Sequence, residues 1–453
     1  MLVLVRLVKP EAFGLVALAL TVVSALHYLR GSGVWAALVF RREEIEEAAA
    51  SVFVYLVISS AAVYGICFAT APLVAHWFGG SELTSILRVL ALLLVFGGLG
   101  IVPGAILERN LHYSAVARCD LGGAGVQAVA SIGLALGGAG VWSLVVGQVA
   151  AGAAETVVLW WLTPWRPSPR RASWSMLREV FLYGRFAGTA NIAIFLGATL
   201  DTITVGRILG ATAVGFYSVA FKMATVSASV FSYVIVKAMF PAFSILRENR
   251  EAFRRTFVQH AQRMALLVLP VSIFLALAAK PIVLALLGNE WRIVVSPFRI
   301  LAVAGFVGAL SATTSAVFRG AGKPQLAMWF SVANVVLLLP ALIVLTRSFG
   351  LNGAASAVLA CLSVTTLPAL VVMIRSIELP GRDLARALRP SLVCSGVLTL
   401  VLAVLILATS DAQPLISLVV LLTGGIVTYL ASAAVFARNV VLPMWLDLRG
   451  VRT

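Results

Sequence analysis

Seven ionisable residues stand singly in long apolar runs of this 453-residue chain: Arg88, Glu155, Arg185, Asp201, Lys222, Lys237 and Arg299. They are tens of residues apart or alone among aliphatic neighbours, so they form no nucleophile–base pair. His27, His76, His112 and His260 have no metal-like spacing, and Cys67, Cys119, Cys361 and Cys394 include no C-x-x-C pair. The chemistry open to such residues is electrostatic. A cation inside an apolar run attracts phosphate, whereas a lone carboxylate there carries a proton, binds a cation or pairs with a base.

Lys222 is the strongest candidate. It lies about ten residues into its run, roughly 15 Å deep at the helical rise. Facing lipid at that depth it would cost about 3 kcal/mol, so it is expected to face a wet cleft and contact phosphate, or to meet a partner. Arg185 sits nearly two turns inside the end of its run, where an arriving headgroup would meet it. Lys237 closes the run that holds Lys222. Both side chains are long enough to snorkel instead. Arg88 and Arg299 stand just inside the ends of their runs, placed to attract phosphate or to anchor at the interface. Asp201, in "TLDTITVGR", can pair with Arg207 or Lys222 or take part in cation coupling. Glu155, in "GAAETVV", can carry a proton or form an ion pair. Trp160, Trp161 and Trp165 read as an aromatic belt.

The elements that must position these residues follow from composition. The chain is 61% hydrophobic and 11% charged, with a mean hydropathy of +1.03. A soluble domain is about half apolar and about one quarter charged, so the expectation is an all-α integral membrane protein. Apolar spans fall at 13–30, 48–78, 84–106, 118–138, 140–162, 179–204, 212–238, 261–288, 295–318, 324–346, 350–374, 388–409 and 414–437. Each approaches or exceeds the ~20 residues that cross hydrocarbon as a helix. "MLVLVRLV" reads as the last two turns of a fourteenth, with a late start site as the expected reason. It lacks the charged n-region and cleavage site of a signal peptide.

Lys and Arg choose the orientation. One alternate set of connectors, from Arg30, Arg41 and Arg42 to the tail, holds 22 of them, against 4 in the other set: Lys9, Arg207, Arg292 and Arg347. The richer set is expected in the cytoplasm with both termini. This accounts for most of the net charge of +16, and no basic motif calls for nucleic acid. Outer connectors are short, as in "TSDAQP" at 409–414. Two cytoplasmic stretches are longer: the Pro-, Ser- and Arg-rich linker 166–178, and 243–263, which reads as an amphipathic helix on the anionic inner leaflet.

The chain also repeats itself. "RLVKPEAFGLVALALTV" (6–22) and "RILGATAVGFYSVAFKM" (207–223) match at Arg6/Arg207, Ala12/Ala213, Gly14/Gly215 and Ala19/Ala220. "GGAGVWSLVV" (137–146) echoes "GLNGAASAVL" (350–359). Two six-helix copies follow, an N-lobe at 1–165 and a C-lobe at 179–375, then two more helices in 376–437 and a tail at 438–453. Six is even, so both copies enter the membrane in the same direction, related by an axis along its normal. Lobes facing across a central cleft suit alternating access.

The chain resembles the polysaccharide transporter family, the Wzx-type lipid-linked oligosaccharide flippases, within the superfamily that holds MATE exporters. The resemblance rests on "LDTITVGRILGATAVGFYSVAFKM" (200–223), "FPAF" (240–243), "LPVSIFLALAAKPIVLALLGNEW" (269–291), "FRGAGKP" (318–324) and "FGLNGAA" (349–355). It implies fourteen helices and movement of an undecaprenyl-diphosphate-linked glycan between leaflets, with no covalent chemistry and no cofactor. A polysaccharide polymerase and glycosyltransferases are the protein partners such a role implies. A cation-coupled drug exporter and a lipid II flippase share the fold and are the rival readings. A glycosyltransferase would need a larger polar outer region, and a non-transporting scaffold leaves the buried charges unexplained. No P-loop pattern is present, so ion or potential drive through Glu155 or Asp201 is expected rather than ATP.

Overall fold

In the computed structural model the described parts of the spans are helices, and no strand occurs among the described residues. The structure describes residues 2–40, 44–226, 243, 246 and 249–439, with the backbone alone at 2, 32, 36–37, 39–40 and 183–194. In chain order the helices are α1 (Leu2–Leu7), α2 (Pro10–Phe40), α3 (Ile45–Phe78), α4 (Leu83–Leu90) and α5 (Leu92–Arg109). There follow α6 (Tyr113–Leu136), α7 (Val141–Leu162), α8 (Trp174–Leu209), α9 (Ala211–Val226) and α10 (Arg250–Leu277). The last five are α11 (Ala279–Leu286), α12 (Val295–Gly320), α13 (Pro324–Ser376), α14 (Gly381–Ala408) and α15 (Pro414–Phe436).

Among the described residues ten helical segments are long and apolar enough to cross a bilayer. One of these, α13, covers two expected spans and turns between them at Gly350, where φ is 58° and ψ is −135°. The span expected at 261–288 is broken at Ala278, between α10 and α11. Pro281 explains the break, because it has no N–H to offer the Leu277 carbonyl four residues back.

Two compact units divide the chain, Met1–Ser218 and Val219–Thr453. In the first, α2 lies along α8 and also meets α3, α4 and α5, while α6 pairs with α7. One apolar cluster in it is built mostly of small and aliphatic side chains: Val34, Leu38, Ala48, Ala49, Val52, Leu56, Val102, Ala105, Met176, Leu177 and Val180. In the second unit α12 packs on α13, α10 on α12 and α14, and α14 on α15. Large apolar side chains such as Leu73, Val129, Trp161, Leu407 and Val435 point outward instead. That arrangement suits hydrocarbon as solvent, where close helix packing by small residues replaces the hydrophobic drive.

The repeat has a physical counterpart within the first unit. A Cβ on Gly14 would stand 1.7 Å from the Ala211 carbonyl oxygen, and one on Gly215 would stand 1.8 Å from that of Pro10. Pro10 and Ala211 are themselves repeat equivalents, so the contact is reciprocal, as at a two-fold axis. The N-terminal turns of α2 and α9 cross backbone to backbone, which only glycine permits at both positions. The second echo shifts by three residues. Gly140 has φ 54° and ψ −125° ahead of α7, and its conformational twin is Gly350, not the Gly353 that residue identity suggests.

The 243–263 stretch departs from expectation. From Arg250 it is the first part of α10, continuous with the span. Phe253 and Phe257 are buried with Phe243, Val317, Phe318 and Met373 rather than laid on a leaflet. Its basic face is also occupied: Arg250 Nη1 and Arg254 Nη2 reach Glu378 at 2.7 and 2.9 Å, and Arg254 Nε donates to the Ile377 carbonyl at 2.7 Å. Of the tryptophan belt, Trp161 is exposed, whereas Trp160 and Trp165 pack edge-on against Phe53 at 5.6 and 5.7 Å between ring centres.

Candidate functional site

Arg30 is the functional candidate that sequence reasoning missed. Counted as a connector residue, it is instead two-thirds of the way along α2 and 6% exposed. Its Nη1 donates to Ser60 Oγ at 2.7 Å on α3 and to the Leu94 carbonyl at 3.0 Å on α5. The helices approach closely enough for this because Gly98 has no side chain: a Cβ there would meet Ser60 Oγ at 1.9 Å. Gly97 likewise makes room for the His27 imidazole. The Nε–Nη2 edge of the guanidinium is buried and without an acceptor among the described residues. A guanidinium edge matches the paired oxygens of a carboxylate or phosphate. The signal in the sequence was "GSGVWAALVF" (31–40), ten small or apolar residues that extend the helix before Arg41.

Asp201 is buried as deeply and has the opposite character. It is 4% exposed near the end of α8. Oδ2 accepts from the Tyr217 hydroxyl on α9 at 2.9 Å, and Oδ1 accepts from the Thr202 backbone N–H at 2.6 Å and the Thr202 hydroxyl at 3.3 Å. Its partner is therefore a phenol, not Arg207 or Lys222. The Arg207 guanidinium lies over the Trp77 ring at 5.7 Å.

Lys222 is exposed on α9, eleven residues after the helix begins and so about 16 Å along its axis. Among the described residues it makes no hydrogen bond or ion pair. Glu155 of α7 lies half-buried on Gly123 of α6, where a Cβ would stand 2.3 Å from its Oε1. Asp120, about one turn before Gly123, is within electrostatic reach of it. The same helix pair carries a Gln127 Nε2 to Gln148 Oε1 hydrogen bond of 2.6 Å. Arg88 is held against α3, with Nε donating to the Phe68 carbonyl at 3.2 Å and the guanidinium 4.3 Å above the Phe68 ring. Arg299 is exposed in the first turns of α12. Arg185 falls on the helical backbone of α8 with its side chain outside the described residues, and Lys237 lies outside them altogether.

A family described as "polysaccharide biosynthesis protein" matches residues 3–296. The chain belongs to that family. Its relatives include the succinoglycan biosynthesis transport protein ExoT of Rhizobium meliloti (strain 1021), 27% identical over 74% of this chain and 67% of ExoT. The teichuronic acid biosynthesis protein TuaB of Bacillus subtilis (strain 168) is 23% identical over 68% of this chain and 63% of TuaB. The lipopolysaccharide biosynthesis protein WzxC of Escherichia coli (strain K12) is 20% identical over 81% and 75%. The match thus spans 63% to 75% of these relatives' lengths.

Among solved structures, the lipid II flippase MurJ in an inward closed conformation superposes with a TM-score of 0.77 over 97% of each chain, at 14% identity. An inward-facing MATE-family multidrug resistance transporter gives 0.68 over 83% of this chain and 93% of its own, at 17% identity. At these identities the likeness establishes the fold: this polysaccharide biosynthesis protein is a MATE-like, all-helical, multi-pass membrane protein. The resemblance read from the sequence motifs and the family agree.

Proposed function

We propose that the protein is a flippase that moves an undecaprenyl-diphosphate-linked oligosaccharide across the bacterial inner membrane for O-antigen, capsule or exopolysaccharide synthesis. Transport proceeds by alternating access of the lobes 1–165 and 179–375, with both termini cytoplasmic and the Arg-rich connectors inside. The protein makes and breaks no covalent bond. Its work is to lower the cost of carrying a diphosphate past hydrocarbon. The observation that carries the reading is Lys222, an exposed ammonium without counter-charge among the described residues on an apolar helix, in a chain of a polysaccharide biosynthesis family. Arg30 supplies a second cation with donors to spare, and Arg185, Lys237, Arg88 and Arg299 form the remaining candidate path.

Glu155 is the favoured coupling carboxylate, because it makes no ion pair among the described residues, while Asp201 is already bonded to Tyr217. Collapse of the proton gradient is expected to stop transport if Glu155 couples it; undiminished transport would remove that role. The decisive assay is translocation of a fluorescent undecaprenyl-diphosphate oligosaccharide in proteoliposomes. Wild type should move the lipid and Lys222→Ala should not. Export of a cationic dye with no lipid movement would transfer the reading to a drug exporter of the same fold, and selective movement of lipid II would make it a peptidoglycan flippase.

A further inference from the structure

The first turns of α14 carry Arg382, Arg386 and Arg389, spaced four and then three residues apart, so all three share one face. All are exposed, and the ion pair they form among the described residues is a long one, Arg386 Nη1 to Asp383 Oδ1 at 3.9 Å. A groove of about 550 Å³ opens beside them, lined by Ala385, Arg386, Arg389, Leu392 and Val393. Pro390 contributes to its chemistry: without an N–H it leaves the Arg386 carbonyl lacking its intrahelical donor.

Beyond the arginines the same face turns apolar. Leu392, Val393, Leu400, Val404 and Leu407 are exposed along the rest of α14. From Arg389 to the end of the helix at Ala408 is about 28 Å at the helical rise, close to the ~30 Å of hydrocarbon. Arg389 therefore stands at the level of the phosphates when the apolar stretch fills the bilayer. One helix face then offers cations at phosphate depth, a carbonyl lacking its intrahelical donor beside them and an aliphatic track below.

We propose that this groove is a seat for an anionic glycerophospholipid of the phosphatidylglycerol class. Its phosphate is held between Arg386 and Arg389, a glycerol hydroxyl donates to the Arg386 carbonyl, and an acyl chain lies over Leu392 and Val393. Charge complementarity selects the occupant. A zwitterionic headgroup brings its own cation against the arginines, and free phosphate has no part that uses the apolar track. The inference rests on α14's own residues and on that helix spanning the bilayer, and it stands whether or not the protein transports a glycan.

The test uses the full chain, extracted from vesicles of phosphatidylcholine and phosphatidylglycerol in equal parts, with retained lipid read by native mass spectrometry. Wild type is expected to keep phosphatidylglycerol in preference to phosphatidylcholine. Arg386→Gln/Arg389→Gln should weaken that retention about thirty-fold, the effect of two surface cations on an anionic lipid. Arg386→Lys/Arg389→Lys should keep most of it, which separates loss of charge from loss of fold. Equal retention of the two lipids, equal retention by wild type and the Gln variant, or release of the lipid by millimolar inorganic phosphate would overturn the proposal.

Discussion

Asp201 and Arg30 are both almost wholly buried in the same unit, yet they present opposite cases. Asp201 uses both oxygens: Tyr217 and Thr202 donate to it, and the bond between α8 and α9 runs through the pair. Arg30 uses Nη1 on Ser60 and Leu94 and buries Nε and Nη2 with no acceptor among the described residues. Burial costs a charged group dearly unless its bonds are made inside. The carboxylate's bonds are complete, whereas the guanidinium keeps a donor edge with no acceptor among the described residues. What separates the two charges is whether their hydrogen bonds are complete, not their depth.

Replacement of Arg30 gives the largest test of that contrast. Arg30→Met removes an incompletely satisfied charge in favour of an apolar chain, so thermal unfolding in detergent should show a gain of about 1–4 kcal/mol. Lipid translocation should at the same time fall to background. A loss of stability with transport retained would break the comparison by making Arg30 structural. Asp201→Ala should do the reverse, costing about 2–3 kcal/mol by leaving the buried Tyr217 hydroxyl without its charged acceptor. Transport per folded molecule should persist, and its selective loss would return Asp201 to the ion-coupling role.

Smaller changes sharpen the picture. Ser60→Ala takes one acceptor from Arg30 Nη1 and leaves the Leu94 carbonyl, so it should cost about 1–2 kcal/mol. The cost should vanish in the Arg30→Met background, as a double-mutant cycle would show. Tyr217→Phe should cost about 1 kcal/mol, the net worth of one hydrogen bond. Thr202 still donates to Asp201 in that variant. A Tyr217→Phe cost as large as that of Asp201→Ala would mean the pair has no other support.

The spans were legible because a membrane helix advertises itself in length and apolarity. Val141–Leu162 and Pro414–Phe436 fall within a residue of the stretches read from hydropathy. Gly14 and Gly215 were legible as a repeated identity, and the crossing they make gives that identity its cause. Arg30 was misplaced because the residues after it, Gly31 to Gly33, look like a connector although the helix runs through them. The 243–263 stretch misled for a related reason. An alternating apolar and basic pattern has the same periodicity whether its apolar face meets lipid or, as at Phe253 and Phe257, a neighbouring helix.

The sequence by itself determined that this chain lives in a bilayer and roughly where most of its helices lie, although α2 runs on to Phe40 and α10 starts at Arg250, well outside the stretches 13–30 and 261–288. Those properties depend on local composition, and hydrocarbon thickness imposes them one helix at a time. Only the tertiary structure decided that Asp201 belongs to Tyr217, that Glu155 rests on Gly123, and that two donors of Arg30 find no acceptor among the described residues. Partnership depends on which helices touch and at what height, and in a chain of similar apolar helices small residues such as Gly98 and Gly123 set both.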